Sequence, residues 1–397
     1  MSVSRTSPQR ASSARQRNTQ SFSTSRELGQ PHRASTAEIR NNNTPIRVLI
    51  VDDSAIIRLS LNRYLKEIPD IQIIGQASNG VEALEQAKTL HPDVITLDVE
   101  MPRMNGLETL RHLMSTQPTP VVMLSSLTGD GTETTIKALE LGAVDFVLKP
   151  APGVKMEETI QELAKKIRAA SRARVRRLQD SSANRIQTGA LGSEARTPEQ
   201  PLRSSDSLLM IASSTGGPST LVALLSSLPA GLPLGGVIVQ HMPGGFTKSL
   251  SERLNRVCSY RVKEAEPGDK LRQGLFLVAP GGYHMTFDRT GSVRLNQGAT
   301  VNGVRPAADV TMRSLAAIYG DRVLAVVLTG MGSDGLEGAK TIASLGGTIL
   351  AQNEESSVVY GMPRAVIEAG LVKATGSPEE LSALIQLEIK GKHDNAE

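Results

Sequence analysis

The stretch Ile46-Arg47-Val48-Leu49-Ile50-Val51-Asp52-Asp53-Ser54 runs through apolar residues and stops abruptly on two carboxylates and a hydroxyl. Outward from it, the apolar runs 47–51, 71–77, 94–97, 121–124 and 146–148 alternate with segments of helical spacing. Near-continuous apolar strands separated by helices predict a parallel sheet covered on both faces, a doubly wound α/β fold. Such a sheet binds ligands at the carboxyl ends of its strands, so the residues that follow each run decide the chemistry. They are polar: Asp52 and Asp53 after the first run, Asp98 after the third, Ser125 and Ser126 after the fourth, and Lys149 before Pro150 after the fifth. Any one of them alone reads equally well as a helix cap or a turn residue. Together they predict a pocket. Three carboxylates at one edge repel one another unless a divalent cation neutralises them, and hard oxygen ligands suit Mg²⁺. With Lys149 and a serine hydroxyl taking the remaining charge, the Asp98 carboxylate becomes a nucleophile for phosphoryl transfer.

The 397 residues have room for two or three domains, and the pattern points to two with unstructured segments. Hydrophobic residues make up 39% and aromatic residues 3%, with no Trp, so the cores are built from Leu, Ile, Val and Ala, which favours α/β layers. The single cysteine, Cys258, cannot close an internal disulfide or supply a metal cluster, and nothing requires an oxidising compartment. No stretch approaches the roughly 18 apolar residues of a membrane-spanning helix, and the N-terminus lacks the apolar core of a signal peptide. These features predict a cytoplasmic protein with no direct membrane insertion. Residues 1–44 hold seven Arg and two Glu among many Ser, Thr and Asn. That is also the composition of an organelle transit peptide, but without regular apolar spacing it predicts a disordered basic tail. The tail accounts for the net charge of +4. The remainder is close to neutral and gives no support to nucleic-acid binding.

Between residues 153 and 177 the apolar residues Ile160, Leu163, Ala164 and Ile167 share one helical face. Residues 178–205 are rich in Gln, Ser, Asn, Pro and Arg, the composition of a flexible linker. A second series of strands and helices begins at 208–211 and continues through 236–240, 323–328 and 348–351. Pro280-Gly281-Gly282 and Arg289-Thr290-Gly291 are hairpin signals within it. The expected organisation is a disordered basic tail at 1–44, a first domain at 45–165, a helical and flexible linker at 166–205, a second domain at 206–390 and a tail at 391–397. The second domain is also predicted to be a doubly wound α/β fold, with a β-hairpin insertion.

Residues 206–397 carry no helix-turn-helix signature and no basic recognition helix. They carry Ile211-Ala212-Ser213-Ser214-Thr215-Gly216-Gly217-Pro218, a strand that ends in a Ser/Gly loop and opens a helix. A serine there places its hydroxyl near a helix N-terminus that favours developing negative charge, which makes it a candidate nucleophile. An activated serine needs a general base. Of the six histidines, His32 lies in the tail, His91 and His112 in the first domain and His393 at the C-terminus, leaving His241 and His284. His241 follows directly on the strand at 236–240 and is favoured, while His284 sits within a hairpin signal. Thr329-Gly330-Met331-Gly332-Ser333-Asp334-Gly335 follows the strand at 323–328 and offers Asp334 as the acid that orients the base. Its glycines let the backbone approach closely, so the Met331 amide is a candidate donor to an oxyanion. The same segment spells Gly330-x-Gly332-x-x-Gly335, a dinucleotide-binding fingerprint with Glu354 and Glu355 about 20 residues on. A nucleotide site therefore competes with the hydrolase reading, which alone accounts for all three loops.

Val51-Asp52-Asp53-Ser54, Asp98-Val99-Glu100-Met101-Pro102 with Asn105-Gly106, Ser125 and Lys149-Pro150 resemble the receiver domain of two-component response regulators. The resemblance implies a flavodoxin-like receiver fold, a phosphoryl group donated to Asp98 by a histidine kinase, and Mg²⁺ held by Asp53, Asp98 and the carbonyl of Glu100, with Asp52 in the same acidic pocket. It makes Ser125 and Phe146 the positions that respond, beside Lys149. Ser214-Thr215-Gly216-Gly217, Gln240-His241-Met242-Pro243, residues 280–285, residues 329–335 and the run from Gln352-Asn353-Glu354 to Tyr360-Gly361-Met362-Pro363 are similar to the methylesterase domain of chemotaxis response regulators. That similarity implies a protein-glutamate methylesterase with Ser214, His241 and Asp334 as its triad, no cofactor for hydrolysis, and methyl-accepting chemotaxis receptors as substrates. It also implies deamidation of receptor glutamines, because an amide forms the same acyl-enzyme. Two departures stand out. The usual Gly-Ala before Ser-Thr-Gly-Gly is Ala212-Ser213 here, which adds a second serine, and the usual Arg-Pro-Ser-Val-Asp is Arg305-Pro306-Ala307-Ala308-Asp309. A receiver-controlled nucleotide-binding enzyme and a non-catalytic signalling adaptor are the other classes compatible with the residues.

Overall fold

The computed structural model describes residues 44–127, 129–150, 156–175, 196–203 and 206–394. The tail expected at 1–44 lies outside the described residues up to position 43, as do residues 176–195 of the expected linker.

In the first domain β1 (Ile46–Val51), β2 (Ile71–Ala77), β3 (Val94–Asp98), β4 (Val121–Ser125) and β5 (Asp145–Leu148) form a parallel sheet in the order β2-β1-β3-β4-β5. The helices α1 (Ala55–Lys66), α2 (Gly80–Leu90), α3 (Gly106–Thr116), α4 (Gly129–Glu140) and α5 (Met156–Ala170) connect and cover it. Side chains alternate across a strand, so an unbroken apolar strand needs cover on both faces. Val48 and Ile50 share one core with Leu61 and Leu65 of α1 and Leu163 and Ile167 of α5, while Leu49 and Val51 pack with Ala83, Ala87 and Leu110 on the other face. Ser54 caps α1 by accepting from the Ile57 amide, and Asn105 forms a capping box with Glu108. The boundary expected at 165 falls inside α5. Its apolar spacing continues through Ile167 and Ala170, and both belong to the same core.

Residues 196–203 pack on the second domain instead of forming linker: β6 (Gln200–Pro201) pairs antiparallel with β10 (Arg272–Gln273). The seven-stranded sheet of this domain holds β7 (Ser207–Ser213), β8 (Leu234–Gln240), β9 (Arg261–Glu264), β11 (Leu275–Val278), β14 (Val323–Val327), β15 (Thr348–Gln352) and β16 (Ala374–Gly376), all parallel, in the order β16-β15-β14-β7-β8-β11-β9. The helices are α6 (Gly217–Ser227), α7 (Phe246–Val257), α8 (Ala308–Tyr319), α9 (Leu336–Ser344), α10 (Met362–Glu368) and α11 (Pro378–Asp394). The expected hairpin is β12 (His284–Phe287) with β13 (Val293–Asn296). Because α11 runs on to Asp394, the tail expected at 391 begins inside a helix. No helix among the described residues is long and apolar enough to cross a membrane. The sheet order reverses at β7, whose neighbours β14 and β8 leave in opposite directions. Loops that part at such a point open a crevice at the strands' carboxyl edge.

The two domains pack through α4 and α7. Phe146 of β5 stacks on Phe246 with ring centres 4.4 Å apart. Arg253 Nε donates to Glu140 Oε1 at 2.5 Å, and the hydroxyls of Thr132 and Ser249 lie 3.1 Å apart.

Candidate functional site

Asp52, Asp53 and Asp98 follow β1 and end β3, and one carboxylate oxygen from each lies within 4.8 Å of the others. Lys149 Nζ stands 2.8 Å from Asp52 Oδ2 and 2.7 Å from Asp98 Oδ2. Both oxygens are buried and face this ammonium without a well-directed hydrogen bond. Burial pushes the Asp98 carboxyl up to about 6, against the pull of the adjacent Lys149 ammonium. Three hard oxygens so close, two of them with open lone pairs, match the donor set that Mg²⁺ requires. The Glu100 amide donates to Asp98 Oδ1 at 3.4 Å. Ser125 is buried at the end of β4, its hydroxyl 2.7 Å from that of Thr135, while Phe146 lies in the interface with the second domain.

Ser214 follows β7, His241 follows β8 and Asp334 lies in the loop after β14, on the carboxyl edges of three adjacent strands. All three line a cavity of about 690 Å³ together with Met331. His241 Nε2 is 2.7 Å from Asp334 Oδ2. The same oxygen accepts from the Ala308 amide at 2.6 Å, while Oδ1 accepts from Asn302 Nδ2 at 3.1 Å and the Asp309 amide at 3.2 Å. Burial raises the Asp334 carboxyl, but the hydrogen bond and charge of His241 and these amides outweigh it and hold the group below its ordinary value. Ser214 and His241 meet the cavity without a hydrogen bond between them. With Nε2 donating to Asp334, the His241 Nδ1 is left as the basic nitrogen. The Met331 amide has no acceptor among the described residues.

The competing candidates are placed elsewhere. The Ser213 hydroxyl is fully buried and donates to Gln240 Oε1 at 2.7 Å, away from the cavity. His284 is buried rather than at the surface, with Nε2 2.9 Å from the Ala299 carbonyl and Nδ1 accepting from the Ala307 amide. In the glycine motif, the Gly335 and Gly338 amides at the start of α9 donate to Asp309 Oδ1 at 3.0 and 2.7 Å. A protein carboxylate thus occupies the helix N-terminus at which a pyrophosphate would have to bind.

The far wall of the cavity comes from the first domain and includes Glu158, Glu162 and Lys166 of α5. Lys166 Nζ lies 3.1 Å from Asp145 Oδ1, and Asp145 Oδ2 accepts from the Thr215 hydroxyl at 2.5 Å, one residue from Ser214. The Gly216 amide donates to the Val144 carbonyl at 3.2 Å.

The chain matches the family model described as CheB methylesterase over residues 209–385 and that of the response regulator receiver domain over residues 48–161. A protein-glutamate methylesterase/protein-glutamine glutaminase of Symbiobacterium thermophilum is 46% identical over 345 residues, 83% of this chain and 93% of the relative. The chain belongs to the CheB methylesterase family. A second relative, protein-glutamate methylesterase/protein-glutamine glutaminase 2 of Pseudomonas aeruginosa, is 45% identical over 349 residues, 86% of this chain and 96% of its own. The solved Thermotoga maritima CheB methylesterase catalytic domain covers 46% of this chain and 98% of its own length, with 41% identity and a TM-score of 0.45.

In this CheB methylesterase the receiver domain is N-terminal and the methylesterase domain C-terminal. Sequence reasoning did not find Asp145 or Lys166, and quoted Thr215 and Gln240 only as parts of motifs, without a role. Asp145 and Thr215 are 70 residues apart and meet only through domain packing, which leaves no spacing signal. Gln240 adjoins His241 and is in register with Ser213, a pairing legible only once β7 and β8 are known to be neighbours.

Proposed function

We propose that the chain hydrolyses glutamyl methyl esters on methyl-accepting chemotaxis receptors in the cytoplasm, and deamidates receptor glutamines, under control of phosphorylation at Asp98. The observation that carries this reading is the 2.7 Å contact of His241 with Asp334 on a cavity that Ser214 and Met331 share. His241 Nδ1 takes the proton of the Ser214 hydroxyl as Oγ attacks the ester carbonyl, and the Met331 amide donates to the oxyanion. His241 returns the proton to the departing methoxide, which leaves as methanol. Water, deprotonated by the same imidazole, then attacks the acyl carbon; the bond to Ser214 Oγ breaks, the imidazolium returns its proton to that oxygen, and the glutamate side chain is released. Asp334 stays ionised and keeps the imidazole oriented, consistent with the direction of its shift.

In the receiver, an Asp98 carboxylate oxygen attacks the phosphorus of a kinase phosphohistidine, the P–N bond breaks and the kinase imidazole departs, with Lys149 stabilising the charge on the phosphoryl oxygens. Asp52, Asp53, Asp98 and the Glu100 carbonyl would hold Mg²⁺, which neutralises phosphoryl oxygens when bound. Ser125 and Phe146 respond, and Phe146 transmits the change because it already stacks on Phe246 of the catalytic domain. The result is greater access to Ser214. Methanol release from methylated receptor membranes tests this, with wild type and Ser214→Ala compared with and without a small-molecule phosphodonor. Wild type should be stimulated and Ser214→Ala inert; activity in Ser214→Ala sinks the mechanism.

A further inference from the structure

We infer that Gln240 is a positioning residue that ties the strand end bearing Ser214 to the one bearing His241, and that Ser213 sets which way its amide faces. The inference rests on the catalytic roles proposed for Ser214 and His241. Ser213 and Gln240 are register partners on the adjacent strands β7 and β8, and the His241 amide donates to the Ser213 carbonyl at 3.0 Å. The Ser213 hydroxyl donates to Gln240 Oε1 at 2.7 Å. Gln240 Nε2 then donates to the carbonyls of Ser214 at 2.9 Å and His241 at 3.2 Å. One side-chain amide therefore fixes the peptide groups of both residues.

A carboxamide has two donors on one side and acceptor lone pairs on the other. Only one orientation satisfies this site, because a flipped amide would turn its oxygen against two carbonyls. Ser213 and Gln240 are 0% and 2% exposed, so water cannot repair a mismatch. The start of α6 closes over the pair: a Cβ on Gly217 would lie 2.0 Å from Gln240 Oε1 and 2.9 Å from Ser213 Cβ. Gln240 thus has no room to swing away. A reacting atom displaced by about 1 Å loses on the order of 10²-fold in rate, which makes a fixed peptide geometry consequential.

The test uses the full chain and methanol release, with kcat and KM measured separately and folding followed by thermal unfolding. Gln240→Met keeps the size of the side chain and removes its hydrogen bonds. It should lower kcat on the order of 10²-fold with KM changed by less than about twofold. Ser213→Ala should lower kcat several-fold alone and add nothing in the Gln240→Met background, since the hydroxyl acts only through that amide. Labelling by an organophosphonate that reacts with the active-site serine counts the competent sites, so that partial unfolding is separated from a lower kcat per site. Wild-type kcat per labelled site in Gln240→Met overturns the inference, as does full additivity of the two substitutions. Ser214→Ala serves as the control: activity there overturns the catalytic reading itself, whereas an inert Ser214→Ala beside an unimpaired Gln240→Met overturns this inference alone.

Discussion

Asp98, the proposed phosphoacceptor, combines two demands that pull against each other, since it must be ionised to accept a phosphoryl group yet is buried. Its carboxyl is pushed up to about 6 by burial, from an ordinary value of 3.8. The folded chain therefore holds this proton more tightly than the unfolded chain. The penalty on folding sets in as the pH rises above about 4 and is complete above about 6; two pKa units correspond to about 3 kcal/mol at most. Asp98→Asn should accordingly raise the unfolding midpoint of the receiver at pH 7.5 without divalent ions, with the gain fading toward pH 4. Adding Mg²⁺ should raise the midpoint of the wild type more than that of the variant; equal responses would show that Asp98 is not a ligand. In the catalytic domain, Asp334→Asn removes the charge that orients His241 and should lower kcat by on the order of 10³- to 10⁴-fold with little change in KM. The positions of these residues were legible in the sequence because Asp98 ends an apolar strand, His241 directly follows one and Asp334 lies in the Gly-rich loop after another. Asp145 and Thr215 were not, because their meeting depends on how two domains pack.

Strands buried on both faces announced themselves as apolar runs, which is why β1, β3, β4, β7, β8, β14 and β15 were readable, while the edge strands β2 and β5 were readable from the apolar residues they keep, Ile71, Ile73, Ile74 and Ala77 in one and Phe146, Val147 and Leu148 in the other. β11 (Leu275–Val278) is just as apolar and buried but was not singled out among the hairpin signals around it, whereas the two edge strands of the second sheet failed for a physical reason. β9 (Arg261–Glu264) reads Arg-Val-Lys-Glu because it lies at the sheet edge, and β16 (Ala374–Gly376) is three residues long at the other edge. The helix expected between 153 and 177 already carries Ile167 on its apolar face, but the domain boundary expected at 165 falls inside α5, ahead of Ile167 and Ala170. At this scale the loop after β8 is held by close backbone packing. A Cβ on Gly281 would lie 2.3 Å from the Pro243 carbonyl carbon and 2.4 Å from the Gly244 nitrogen. Backbone cannot rotate away as a side chain can, so Gly281→Ala should displace the loop that carries His241. A loss of about 1–3 kcal/mol in stability is expected, with a lowered kcat. An unchanged unfolding midpoint and an unchanged kcat would show that the two loops part freely.

Across the whole molecule, the receiver holds the catalytic domain through the Phe146 and Phe246 stack, the Glu140 and Arg253 pair and the Asp145 and Thr215 hydrogen bond. An aromatic pair contributes about 0.5–1.5 kcal/mol beyond its buried area. If that energy holds the closed arrangement, Phe246→Ala should raise unphosphorylated activity by roughly 2- to 13-fold and reduce phosphodonor stimulation by the same factor. Unchanged basal activity would show that this contact does not restrain the site. The cavity beside Ser214 has one wall from each domain, with Glu158, Glu162 and Lys166 facing His241 and Asp334 across it. A compound that grips both walls therefore acts as molecular glue between receiver and enzyme. If phosphorylation of Asp98 parts these walls, as proposed, thermodynamic reciprocity sets its pharmacology: phosphorylation weakens such a compound by the same factor by which the compound opposes phosphorylation at a carboxylate it never touches.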